Sequence, residues 1–276
     1  PEVERRRGEH RSAADLLGDY VQGHPQALDA RTALVAALRN SGQIEKAIAQ
    51  GQEVLVRKPG DSSALAELAL CHLAKGERDT AQLLAKQALD SNAKNALAHR
   101  AMGLIQLQNG DDALAFQSFS KASQEDPRDT TARLNMGGVL LHAGAYARAE
   151  EQYRATLQVS PDDLEAQIGL AAALRGEGDT KSPAKLEESR SLLSKVLERD
   201  PHNIAALFNL GVLYADFLKR PNDAAPLFRR FLAEAPGDHP ARAEAEKFLA
   251  GVTPTTKPAA TAPGPAQPAQ NGPKKK

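Results

Sequence analysis

Apolar residues recur along most of the chain at the spacing of amphipathic helices, and the pattern is clearest over residues 130–163. Each half of this stretch places its apolar residues on one helical face: Leu134, Leu140 and Leu141 in the first half, Tyr153 and Leu157 in the second. Gly144 separates the halves and Pro161 follows the second, at positions where helices end. The pattern predicts two antiparallel helices, and this pair alone leaves its apolar faces uncovered.

The same helical pair recurs with a period of 34 residues. The turn glycine repeats in phase as Gly8, Gly42, Gly76, Gly110 and Gly144. A small residue of the second helix repeats as Ala13, Ala47, Ala81, Ala115 and Ala149. The turn glycine and the small alanine stay in phase over five periods. This regularity indicates a stack of helix hairpins, in which each hairpin covers its neighbour.

A period of 34 residues with small residues at the eighth and twentieth positions resembles the tetratricopeptide repeat family. Gly137 and Ala149 occupy these positions in one repeat, and their size allows two helices to approach closely. The Trp usual at the fourth position is absent, because the chain contains no Trp. The resemblance implies an all-α, right-handed solenoid of helix hairpins whose first helices line a concave face.

The phase of the repeats predicts the domain boundaries. They are a partial repeat at 1–27, repeats at 28–61, 62–95, 96–129, 130–163, 164–203 and 204–238, a capping helix at 239–250 and a disordered Pro/Ala-rich tail at 251–276. The fifth repeat has an insertion in its turn at 180–185, and the sixth has one extra residue near Arg220 and Pro221. Because residue 1 falls by phase inside a first helix, we expect a fragment of a longer array, with Gly8 as a turn.

The composition and the absence of known motifs argue against several classes of function. The 35 basic and 35 acidic residues balance, so no basic surplus attracts nucleic acid. No stretch reaches the roughly 18 apolar residues of a membrane span. Cys71 is the only cysteine, and the histidines include no pair with the spacing of a zinc helix. Gly137 and Gly138 are interpreted as a close-packing pair, because no strand precedes them. We therefore expect no enzyme activity, no cofactor and no metal.

In the tetratricopeptide repeat family, defined positions of each first helix face a partner-binding groove. Transferred to this chain, the resemblance implies the groove residues Leu70, Leu73, Arg100, Leu104, Leu107, Leu134, Asn135, Leu141, Ile168, Arg175, Phe208 and Asn209. This aliphatic set with a few polar groups suits a helix or an extended segment of a partner protein. The alternative is that some of these leucines only complete the core between repeats.

Residues 206–249 resemble the end of the repeat lipoproteins of bacterial gliding-motility machinery. That resemblance implies a scaffold at the periplasmic face of the outer membrane, with a lipid anchor in an N-terminal part absent from this sequence. Two other classes stay open. One is a cytoplasmic regulatory or secretion-chaperone module, and the other is the repeat arm of a larger enzyme.

Overall fold

A computed structural model describes residues 2–178 and 183–252, with side chains from residue 8 onward. In those residues fourteen α-helices follow one another without a strand. They are α1 (Glu2–Gly23), α2 (Leu28–Asn40), α3 (Ile44–Arg57), α4 (Ser62–Ala74), α5 (Arg78–Ser91), α6 (Ala96–Gln108), α7 (Asp112–Glu125), α8 (Thr130–His142), α9 (Tyr146–Val159), α10 (Leu164–Glu177), α11 (Pro183–Arg199), α12 (Ile204–Val212), α13 (Pro221–Glu234) and α14 (Arg242–Gly251). The predicted all-α solenoid is confirmed.

The helices are arranged in two layers. Each even-numbered helix from α2 to α12 packs against the odd-numbered helices before and after it in the chain, and α2, α4 and α6 also pack side by side, as do α8, α10 and α12. The even-numbered helices are the first helices of the repeats. Their shared layer is therefore the surface on which the groove is to be sought.

Residues that recur with the repeat mark the ends of these helices, with Asp or Asn at the start and glycine after the end. The carboxylate or amide oxygens of Asp61, Asn95, Asp163 and Asn203 each accept a hydrogen bond from a backbone N–H in the first turn of the helix that follows. At the other end, Gly42, Gly76, Gly110 and Gly144 have φ values of 83°, 79°, 81° and 70°. This left-handed conformation is inexpensive only for glycine, and it lets the chain reverse into the second helix.

Small residues at the eighth position make room for rings from the second helix. A Cβ atom added at Gly103, Gly137 or Gly211 would lie within 2.5–2.8 Å of the ring of Phe119, Tyr153 or Phe228, respectively. Ala149 is fully buried. The close approach predicted from Gly137 and Ala149 therefore has a specific cause, which is that the ring fills the space left by the missing side chain.

Two length variations differ from the sequence prediction. Residues 183–185 of the insertion belong to α11. Lys185 donates to Glu150 and Glu177 at 3.0 and 2.8 Å, which ties this end of the insertion to α9 and α10. The predicted turn at 180–182 lies outside the described residues.

The extra residue of the sixth repeat lies in a π-helical turn, Leu213–Phe217, that continues α12, rather than in the loop near Arg220 and Pro221. The N–H of Leu218 donates to the carbonyl of Leu213, five residues earlier, at 2.9 Å. Lys219 then takes the place of the turn glycine, with φ 53°. One added residue in a helix is commonly absorbed in this way.

The ends of the array also differ in part. α1 runs without a break through Gly8, so the predicted turn there is wrong. A single glycine costs a helix only about 1 kcal/mol, and its neighbours Arg7 and Glu9 are good helix formers. At the other end, α14 packs on α13, and Arg242 donates to the carbonyl of Leu232 in α13 and to that of Ala235, which follows the helix. Most of the predicted tail, from residue 253 onward, lies outside the described residues.

Candidate partner-binding groove

Two of the proposed groove leucines are core residues. Leu70 and Leu73 are 6% and 7% exposed and pack with Ala81, Ala85 and Ile105. They therefore leave little side-chain surface for a partner, as the alternative interpretation of these leucines anticipated. Phe208 is half-buried and its ring contacts those of Phe228 and Phe231, at centroid distances of 5.9 and 5.2 Å.

The four polar groove residues already form contacts within the repeats. Arg100 is ion-paired with Asp129. Arg175 donates to the carbonyl of Asn209 at 3.3 Å and lies over the ring of Phe217, 5.9 Å from its centroid. Burial lowers the pKa of the Arg175 guanidinium. The amides of Asn135 and Asn209 donate back to carbonyls of their own helices at 2.9 Å. Each of these four polar side chains therefore already has a partner within the repeats.

Leu104, Leu107, Leu134, Leu141 and Ile168 keep part of their surface exposed. Three of the predicted residues, Leu107, Leu134 and Asn135, meet at one cleft of about 360 Å³. The other residues that line the cleft are Asp112, Gly138, Val139, His142, Tyr153 and Glu165. The structure thus brings a subset of the predicted residues together, at the middle of the array where α6, α8 and α10 supply the walls.

Gly138 forms the open part of this cleft. A Cβ atom added there meets no heavy atom within 4 Å, whereas one added at Gly137 meets the ring of Tyr153 at 2.6 Å. Close helix packing therefore explains Gly137 but not its neighbour, and the interpretation of the two as a pair is wrong for Gly138. The signal that identifies Gly138 is its phase, since it holds the ninth position, where the other repeats have Ala, Leu or Val.

Tyr153 reaches the cleft from the second layer. Its ring passes between Gly137 of α8 and Gly169 of α10, and the Cζ end of the ring lies nearest to both glycines. The side chain is 4% exposed, yet it contributes to the lining of the cleft. Burial, and next the charge of Glu165, raise the pKa of Tyr153 to about 12, so the phenol stays protonated at neutral pH. The sequence pattern predicts only that this tyrosine lies on the apolar face of its helix.

The described residues offer no metal site and no activated thiol. They contain no group of three or more His, Cys, Asp or Glu side chains arranged to hold a metal ion. Cys71 is fully buried, and burial raises the pKa of its thiol to about 12. At neutral pH it is therefore a small apolar core residue. None of the helices in the described ranges is long and apolar enough to cross a bilayer.

Comparison with known families gives a clear assignment. Two family models described as tetratricopeptide repeat match the chain, one over residues 2–62, 66–130 and 184–239 and the other over 106–174. The chain belongs to the tetratricopeptide repeat family. Repeats of this family generally mediate protein–protein interactions, and their fold is typically a non-catalytic scaffold.

Solved structures agree on the fold. The chain is similar to the APC/C hetero-tetramer Cut9–Hcn1, with 17% identity and a TM-score of 0.71 over 89% of this chain and 46% of that one. It is similar to yeast Tom70, with 14% identity and a TM-score of 0.57 over 90% and 59%. The match to Pseudomonas aeruginosa pilF has 21% identity and a TM-score of 0.66 over 83% and 99%. The chain thus spans about half the length of the first two. No curated protein matches it.

Proposed function

We propose that the chain is a non-catalytic scaffold that binds a segment of a partner protein in its concave groove, with the cleft around Gly138 as the main contact point. The observation that supports the proposal is at Gly138. Its backbone has no side chain and faces open space, and Leu107 and Leu134 form aliphatic walls of the same cleft. A helix position without a side chain lets a partner chain approach the backbone closely. An apolar side chain of the partner then loses contact with water against the two leucines.

The test compares capture of partners by three forms of the full chain. Gly138→Trp places a large ring at the cleft, and its Cβ atom meets no heavy atom within 4 Å. Gly8→Trp is the matched control, since Gly8 is also an exposed helical glycine with open space around it. Lysate of the source organism is passed over each form, and retained proteins are compared by mass spectrometry.

The expected result is a partner that the parent and Gly8→Trp forms retain and the Gly138→Trp form loses by tenfold or more, about 1.4 kcal/mol. Equal retention by all three forms contradicts the proposal. Circular dichroism melting of the three forms separates loss of binding from loss of folding, because a folded Gly138→Trp variant keeps a cooperative transition.

The setting of the scaffold is a further part of the proposal. The resemblance of residues 206–249 to gliding-motility lipoproteins supports an envelope complex at the periplasmic face of the outer membrane, with a lipid anchor upstream. Fractionation of cells that produce the natural full-length protein tests this. Recovery with outer-membrane vesicles supports it, and recovery only in the cytosol contradicts it while leaving the groove proposal intact.

A further inference from the structure

The cleft at Gly138 is apolar on its walls but acidic at its edges. Asp112, in the first turn of α7, and Glu165, in the first turn of α10, both line it. Among the residues that the structure describes, no Lys or Arg contributes to the lining. The electrostatic potential of such a cleft favours a cation over an anion.

The hydroxyl group of Tyr153 adds a directed polar group to the same cleft. The counterparts of Tyr153 in two other repeats are Phe119 and Phe228, which pack against Gly103 and Gly211 in the same way. A ring that packs against this glycine therefore does not need a hydroxyl group. Tyr153 has one, and its Cζ end lies between two glycines beside the cleft. A phenol oxygen in that place can accept a hydrogen bond from a bound group.

From these observations we infer that the cleft recognises a lysine or arginine of the partner segment, adjacent to the apolar side chain that inserts beside Gly138. The inference rests on the proposed function, since it specifies the occupant of the same cleft. The carboxylates of Asp112 and Glu165 and the Tyr153 hydroxyl accept hydrogen bonds from the partner's ammonium or guanidinium group. Leu107 and Leu134 contact the apolar side chain and the methylene groups of the basic residue.

The experiment selects binders from a phage-displayed library of random peptides of about twelve residues, using the full chain as bait. Clones that also bind Gly138→Trp are removed, so that only peptides dependent on the cleft are retained. The Kd values of the retained peptides are then measured by fluorescence anisotropy. The proteins compared are the parent chain, Tyr153→Phe, Glu165→Gln, and Glu151→Gln as a control for an exposed carboxylate that does not line the cleft.

We expect the retained peptides to be enriched in Lys or Arg within one helical turn of a bulky apolar residue. Tyr153→Phe and Glu165→Gln each weaken their binding about tenfold, as expected for a hydrogen bond to a charged group, whereas Glu151→Gln leaves it unchanged. Raising NaCl from about 0.05 M to about 0.5 M weakens binding to the parent chain. Because phenylalanine already fills this position in two other repeats, the melting temperature of Tyr153→Phe stays near that of the parent.

Two results overturn the inference, and they are distinguishable. If no selected peptide depends on Gly138, the groove proposal itself fails and the inference fails with it. If peptides that depend on the cleft are retained but lack a basic residue, or bind Tyr153→Phe and Glu165→Gln as tightly as the parent, the groove proposal stands and the basic-residue inference is wrong.

Discussion

Gly137 and Tyr153 form a matched pair across α8 and α9, in which the ring occupies the place of a missing side chain. A Cβ atom at residue 137 would lie 2.6 Å from Cζ of the ring, closer than real contacts allow. The adjacent Gly138 has no such neighbour. The two consecutive glycines thus have different surroundings, a ring at Gly137 and open space at Gly138.

Alanine at the two positions should change stability in opposite directions. Gly137→Ala forces the Tyr153 ring to move and lowers the free energy of unfolding by about 2 kcal/mol, the usual cost of overpacking. Gly138→Ala meets open space and raises the free energy of unfolding by up to about 1 kcal/mol, because alanine is the better helix former. Urea denaturation followed by circular dichroism measures both. A loss for Gly138→Ala equal to that for Gly137→Ala would contradict the packing described above.

Replacing Lys219 with glycine should stabilise the folded protein. The φ of 53° at Lys219 is the left-handed conformation that glycine supplies at the corresponding turn of four other repeats. Lys219→Gly relieves that strain, but glycine also has greater freedom in the unfolded chain, which offsets part of the gain. We therefore expect the free energy of unfolding to rise by about 0.5 kcal/mol. The reciprocal change, Gly144→Lys, places a side chain at φ 70° and should cost about 1 kcal/mol. Destabilisation by Lys219→Gly would show that the turn at residue 219 is held by other contacts.

Lys185 should stabilise the fifth repeat in a pH-dependent way through Glu150. Burial opposes ionisation of Glu150, but the hydrogen bonds that its carboxylate accepts from Arg154 and Lys185 outweigh this effect. The pKa of Glu150 therefore falls from 4.5 to about 2. A carboxyl group whose pKa is lowered on folding contributes stability that is complete above about pH 4.5 and is lost as the pH falls toward 2.

The variant Lys185→Met therefore lowers the free energy of unfolding at pH 7 by at most about 1 kcal/mol. The difference from the parent shrinks as the pH approaches 2, where Glu150 becomes protonated in both proteins. Chemical denaturation at a series of pH values measures this. A difference that is constant from pH 7 to pH 2 would rule out the ion pair as its cause.

Cys71 should be unreactive in the folded protein. It is fully buried, and the pKa of its thiol is raised to about 12, so almost no thiolate forms at neutral pH. Alkylation by iodoacetamide at pH 8 should be slower than for the unfolded chain by more than a hundredfold, and urea should restore the rate. Rapid alkylation of the native protein would place the thiol at the surface.

The repeat architecture could be predicted from sequence because its marks are local and periodic. Each repeat of this length needs a tight turn and a small residue between its two helices. This requirement explains the φ values at Gly42 and Gly144 and the burial of Ala149. The candidate site was less predictable. Whether a glycine such as Gly138 faces a ring or open space depends on which side chain crosses from the second layer. Sequence spacing alone does not show that.

The same limit explains the residues of the groove. Leu70 and Leu104 both hold the ninth position of their repeats, yet the first is buried and the second half-exposed, because different side chains pack around them. The extra residue of the sixth repeat is another case. The length of the repeat shows that one residue is added, but the sequence does not show whether it lengthens a loop or forms the π-helical turn at Leu213–Phe217.

The most direct test of the groove is photo-crosslinking from residue 138 itself. A benzophenone amino acid is introduced at Gly138 in the full chain, and at Gly8 in a control, and both are irradiated in lysate of the source organism. Position 138 should crosslink to a partner which the Gly138→Trp form fails to retain, whereas position 8 should not. Crosslinks to that partner from position 8 but not from position 138 would place the binding surface outside the groove.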